Sequence, residues 1–196
     1  MRVERTNLKN IVVPFGIVSG YSFRGKIQHS AKGNLRVVQL KDMENNYSQI
    51  GDNCVRLERG GIGDKYLLER GDILFISKGA NNFAIVYRPK NSIPTVASSV
   101  FYVIKVDDSK ADPGYVAWYV NSKEVQQYFQ ANATGTYSPS INREVVEEIS
   151  LKLPSLEDQR RIANVARLAQ KEQNIYTALK EKRNQLIEAQ LLQVIN

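Results

Sequence analysis

Between Pro154 and the final Asn196 there is neither a glycine nor a proline. This constrains the chain more than any other feature, because nothing in that stretch stops a helix once it has begun. Ser155 is placed to cap the start. Asp158 follows three residues on, and Glu157 adds negative charge at the positive end of the helix dipole. At about 1.5 Å per residue, roughly forty residues extend about 60 Å, well beyond the usual three or four turns. Val165, Leu168, Ile175, Leu179, Leu186 and Ala189 follow a 3-4 spacing, and Glu172 and Lys182 interrupt the same seam. A domain of this size, about 35 Å across, cannot bury such a stripe, so half of the helix is expected to seek a partner. The two charges either fix the register of a helix pair, at some cost in stability, or mark where the helix frays. The scarcity of repeating flanking charge gives no reason to expect parallel pairing, and an antiparallel partner fits as well.

The remaining bulk properties narrow the class. The 196 residues suit one core-bearing domain with an appendage, or two very small domains. No run of eighteen apolar residues is present, so no membrane span is expected. The N-terminal "MRVERTNLKNIVV" lacks the apolar centre and small-residue cleavage site of a signal peptide. A single cysteine, Cys54, excludes an internal disulfide framework and fits a reducing cytoplasm. The net charge of +7 favours an acidic partner, with nucleic acid the commonest. The basic residues are spread along the chain rather than collected in a tail, which points to a docking surface.

Short runs rich in β-branched and aromatic residues predict strands: "LRVVQL" from Leu35, "NCVRLE" from Asn53, "DILFIS" from Asp72, "FAIVYR" from Phe83 and "VFYVIKV" from Val100. Most gaps between them are too short for crossover helices, so the sheet is expected to be mixed or antiparallel. Helices follow. Asp112 and Pro113 open "DPGYVAWYVNS", "SKEVQQYFQAN" continues at once, and Asn142 is placed to cap "REVVEEI". "ISLKL" reads as a last strand. The predicted fold is α+β: a mixed or antiparallel β-rich domain over residues 1–153, then one long coiled-coil-type helix over 154–196.

Little in the sequence points to catalysis. His29 is the sole histidine and reads as a surface or phosphate-contacting residue. Cys54 reads as a buried inert thiol. With one of each, a zinc site would need unusual carboxylate ligation. "VDDSK", Asp107 to Lys110 with its preceding valine, resembles a fragment of metal-dependent nucleases. Asp72 or Glu69 are the available further acids, but "ADPG" follows and favours a solvated turn. "GGIGDK", Gly60 to Lys65, lacks the hydroxyl residue a P-loop requires and reads as a mobile loop. No catalytic residue, metal or cofactor is expected.

Three stretches together resemble a known family. "GDILFISKGA" (Gly71 to Ala80) and "GTYSPSINREVVEEISLKLPSLEDQRRIA" (Gly135 to Ala163), followed by the long helix, are similar to the specificity subunits of type I restriction–modification systems. "SGYSFRGKI" (Ser19 to Ile27) and "LRVVQLKDM" suit the N-terminal region of that family. The resemblance implies a target recognition domain that reads one half of a bipartite double-stranded DNA sequence, followed by a spacer helix. It implies a non-enzymatic subunit whose partners are a modification subunit, which flips and methylates an adenine, and a restriction subunit, which cuts. Full-length members carry two such units with antiparallel helices. This chain carries one, so pairing of two copies is expected to restore the double unit. The alternative is a structural adaptor, or a truncated specificity fragment, that pairs by its helix without reading DNA.

Recognition in this family class requires cations on phosphates and bidentate groups on base edges. The candidates are Tyr21, Arg24, Lys26 and Lys32 in the first loop, Lys65 beside the glycine loop, Lys78, Asn81 and Asn82 after "DILFIS", and Tyr137 and Arg143 around "SPSIN". Trp118 and Tyr119 are expected in the core. Leu156, Ile162, Val165 and Leu168 are expected to be buried where the helix meets the domain. Leu168, Ile175, Leu179 and Leu186 are the candidates for helix pairing.

Overall fold

Strand formation follows the apolar runs, with additions where a proline or glycine obscured the pattern. The computed structural model describes residues 3–135 and 137–195. In chain order the strands are β1 (Glu4–Asn7), β2 (Val12–Ser19), β3 (Leu35–Val38), β4 (Met43–Glu44), β5 (Gln49–Ile50), β6 (Val55–Leu57), β7 (Ile73–Ile76), β8 (Ala84–Val86), β9 (Thr95–Ala97) and β10 (Phe101–Val106). Helices α1 (Pro113–Val120), α2 (Lys123–Asn132) and α3 (Arg143–Glu147) follow, then strand β11 (Ser150–Leu153) and helix α4 (Leu156–Ile195).

The main sheet has the order β2-β10-β7-β8, antiparallel throughout. A second sheet, β6-β3-β9, pairs β3 antiparallel with β6 and parallel with β9. Strands β1 and β11 form a separate antiparallel pair, and β4 and β5 a small hairpin. The architecture is therefore α+β with mixed pairing and a long C-terminal helix, as the sequence predicts.

Strand β7 is sandwiched. Ile73 and Phe75 face a core shared with α1, α2 and α3, while Leu74 and Ile76 face a second core toward the smaller sheet. The period-2 alternation of an unbroken apolar run thus serves two layers at once. Leu35, Val37, Ile62 and Val96 build a third cluster on the far side of the smaller sheet. Cys54 is buried, its Sγ 3.4 Å from the Gly51 carbonyl oxygen, and burial raises its pKa.

Strand β2 was hidden in the sequence by Pro14 and Gly16. Phe15 between them adopts φ 58°, and the pairing with β10 shifts register between Ile104 and Val106. Gly16 is needed there, because a Cβ would sit 2.7 Å from the Val13 carbonyl oxygen. Helix starts follow their caps: the Asp112 carboxylate accepts from the Tyr115 amide at 2.9 Å, and the Ser155 hydroxyl accepts from the Asp158 amide at 3.2 Å. Asn142 departs from expectation, since it stands at the N-cap of α3 without a side-chain capping bond.

Candidate nucleic-acid interface

Pairing within the main sheet brings separate loops to one end. Ser19 lies opposite Tyr102, Ile76 opposite Phe101, and Ala84 opposite Phe75. The connections leaving β2 and β7 and those entering β10 and β8 therefore emerge together. Tyr21 bridges to Ser98, and both the amide and the hydroxyl of Ser77 donate to the Val100 carbonyl at 2.9 Å. The loop between α2 and α3 joins them: the Gly79 amide donates to Pro139 and the Ile141 amide to Ser77, each at 2.8 Å.

Lys78, Asn81 and Tyr137, all exposed, therefore sit on loops that meet at this end of the sheet. Thr136, beside Tyr137, lies outside the described residues. The Asn81 amide nitrogen donates to the Tyr47 hydroxyl at 3.2 Å, and the Tyr47 ring stacks on Phe83 at 5.7 Å. Sequence reasoning missed Tyr47. Its signal is "ENNY": Asn45, Asn46 and Tyr47 all take left-handed φ values of 50°, 54° and 63°, and asparagine tolerates that region best.

The first loop forms a neighbouring group. Tyr21 is half-buried, edge-on to Phe23 at 4.8 Å and to Tyr66 at 5.0 Å, with the Lys65 ammonium 5.2 Å from the Tyr66 ring. Arg24 lines the same groove, and Lys26 and Lys32 are exposed nearby in sequence. His29 is exposed, its Nδ1 accepting from the Arg56 amide at 3.3 Å. The glycine loop is not the free segment expected. Ile62 is buried in the third core cluster, the Arg59 Nε donates to its carbonyl at 3.0 Å, and Arg59 pairs with Asp64.

Two candidates stand apart. Asn82 is buried, its amide nitrogen donating to the Ile76 carbonyl at 3.0 Å, while its backbone oxygen accepts from Gln126 at 2.9 Å. The side chain closes a turn rather than facing out. Arg143 donates to Glu147 at 2.6 Å and lines a separate groove with Lys9, Phe15 and Lys110. Phe15 in that groove is 88% exposed despite its unusual φ, and nothing in the hydrophobic pattern singled it out. In "VDDSK", the Asp107 carboxylate accepts from the Ser109 amide at 3.1 Å and hydroxyl at 2.6 Å, closing a turn and lowering its pKa. Asp72 accepts from the Glu69 amide at 2.8 Å, and burial raises its pKa.

Helix α4 has two unlike faces. At its start Gln159 is buried, its Oε1 accepting from the Asp112 amide at 3.0 Å and its Nε2 donating to the Pro154 carbonyl at 2.9 Å. Ala163 approaches Gly114 so closely that a Cβ on the glycine would lie 3.0 Å from the alanine Cβ. Farther along, Asn174 donates to the Ser48 hydroxyl at 3.2 Å. Beside this contact burial lowers the Arg88 pKa, as do Arg167 and Arg70, with Asp112 acting the other way. Of the four apolar residues expected to be buried here, Leu156 and Ile162 are half-buried, and Val165 and Leu168 are exposed. They lie on the opposite face, because the domain accepts Ala163 and Ala166 instead. Ile175, Leu179 and Leu186 are each about three-fifths exposed. Tyr119 is buried, whereas Trp118 is exposed in the groove between α1 and α4.

Among the described residues no helix is long and apolar enough to cross a membrane. No curated protein matches the sequence. The fold is similar to the crystal structure of the HsdS subunit from Thermoanaerobacter tengcongensis (TM-score 0.60, 17% identity, covering 96% of this chain and 45% of that one). It is also similar to the S subunit of a type I restriction–modification system from M. genitalium (TM-score 0.60, 13% identity, 94% and 43%). A third similar structure comes from work on assembly and conformational transition of the type I system (TM-score 0.64, 16% identity, 93% and 46%). The chain spans less than half the length of each. The family model for the type I restriction modification DNA specificity domain matches residues 12–189, and the chain belongs to that family.

Proposed function

We propose that residues 1–153 read one half of a bipartite DNA sequence and that residues 154–196 act as spacer and pairing helix. On this reading the subunit recruits modification and restriction partners, which carry the catalysis, and two copies associate through α4. The observation that carries the reading is the convergence of Lys78, Asn81 and Tyr137 at the sheet end from which the Tyr21–Arg24 loop also leaves. Exposed cations there supply phosphate contacts, and the Asn81 amide offers the donor–acceptor pair that matches an adenine edge. The exposed apolar seam of α4 supports pairing.

Co-expression with the modification subunit of the same system, followed by mapping of methylated adenines, tests it. A palindromic bipartite motif is the expected result, with Asn81→Ala changing sequence choice while complex formation persists. A complex that forms without methylating DNA would replace this reading with that of a helix-pairing adaptor.

A further inference from the structure

The seam of α4 has the same spacing read from either end, and its chemistry is complementary about its centre. Around Thr177, Val165 mirrors Ala189, Leu168 mirrors Leu186, Ile175 mirrors Leu179, and Glu172 mirrors Lys182. Resting on the homodimer reading above, we infer that two copies of α4 pair antiparallel with the two-fold axis at Thr177. Glu172 of each copy then meets Lys182 of the other, and this charge pair sets the register.

The alternatives fail on the same residues. In a parallel, in-register pair, Glu172 faces Glu172 and Lys182 faces Lys182 of the second copy, placing like charges in the seam. Sliding the antiparallel pair one heptad sets Glu172 against Ile175 and Lys182 against Val165. Sliding the other way sets Glu172 against Ala189 and Lys182 against Leu179. Only the pairing centred on Thr177 joins acid to base while every remaining layer is apolar on both sides. A charged pair in such a seam contributes little net stability, and its well-attested use is to select register.

The domain leaves room for the second helix. Gln159, Ala163, Ala166 and Asn174 face the chain's own domain, while Leu168, Leu179 and Leu186 lie about 180° around the helix. The exposed C-terminal half of each helix then covers the exposed seam of the other's docked half. Ala166 and its counterpart fall about 33 Å apart along the pair, close to one turn of B-DNA.

Sedimentation equilibrium of the full chain, with Glu172→Lys, Lys182→Glu and the double variant, tests the register. Circular dichroism checks that each variant keeps its helix. Each single change is expected to weaken self-association by at least about tenfold at low salt, and the double change to restore it to within about threefold. A dimer that ignores all three variants, or a double variant as weak as the singles, overturns the register and leaves pairing of two copies standing. A wild-type chain that stays monomeric overturns both.

Discussion

The two faces of α4 differ in what they offer and in what they meet. The face toward the domain carries small and amide side chains: Gln159, Ala163, Ala166, Gln170 and Asn174. The small residues let the helix come close to α1, and the amides fix its attitude through directed bonds to Asp112, Pro154 and Ser48. The opposite face carries the large apolar residues and leaves them in solvent. Apolar bulk is usually spent on a domain's own core. Here the domain is joined to its helix mainly by shape and hydrogen bonds, and the bulk stays exposed in the single chain. On the reading proposed above, a seated helix with an open seam would transmit the position of one domain to the second copy.

The largest expected effect breaks the open face. Leu179→Asp combined with Leu186→Asp places carboxylates in the seam of both copies. Each lost leucine forfeits about 1.5–3 kcal/mol of burial, so self-association should fall by more than about a thousandfold. At protein concentrations below those at which the wild type pairs, thermal unfolding of the domain should hardly move, because both side chains are already largely exposed in the single chain. Sedimentation and calorimetry on the same sample separate the two readouts.

The seated face should respond the other way. Gln159→Ala leaves the Asp112 amide and the Pro154 carbonyl without the amide that satisfies them. Unsatisfied buried groups cost about 1–3 kcal/mol each, so urea unfolding should report a loss of about 2–4 kcal/mol. Amide exchange along Leu156–Ala166 should quicken as the helix loses its anchor. A variant whose α4 amides exchange at the wild-type rate would show that the alanine–glycine contact alone holds the helix.

Much of this division was legible in residue order, though not all for the same reason. The length of α4 was written in the absence of glycine and proline, and its seam in the 3-4 spacing. Which face would dock was not, because Val165 and Leu168 look more burial-prone than Ala163 and Ala166. The decision was made by Gly114, distant in sequence, whose missing side chain admits an alanine and not a leucine. Among the strands, β7 announced itself as an unbroken apolar run and β10 as a β-branched and aromatic run interrupted only by Lys105, while β2 was concealed by Pro14 and Gly16 at a bulge. In the candidate interface, Lys78 and Asn81 were found by loop position. Asn82 looked equivalent, yet one residue of displacement turned its amide inward onto Ile76. Tyr47 escaped notice because its partner Asn81 lies thirty-four positions away.

The interface itself should show an intermediate effect. Asn81→Ala removes an amide able to read adenine, and the discrimination lost at one base position should be about 1–3 kcal/mol. Lys78→Ala should weaken binding to all sequences alike and reduce the slope of log affinity against log salt by about 0.9. Binding isotherms over a salt series, run on matched and mismatched duplexes, distinguish the roles. If Asn81→Ala lowers affinity uniformly, its amide serves only to hold Tyr47.

The smallest change concerns the strand that leads into the helix. The buried Tyr115 hydroxyl on α1 donates to the Lys152 carbonyl in β11, two residues before Pro154. Burial pushes its pKa from 10 up to about 12, with Tyr119 adding to the rise. Between pH 10 and about 12 the folded chain therefore holds a proton that the unfolded chain has released. Stability is fully present below pH 10 and falls as pH rises across that window. Tyr115→Phe should cost about 1 kcal/mol at neutral pH, for one hydrogen bond, and should flatten this alkaline loss. Urea titrations at about pH 8, 10 and 11, which span the onset of the window, give both quantities. If the alkaline limb survives in the variant, the titrating group lies elsewhere, and the joint between α1 and β11 rests on packing rather than on that bond.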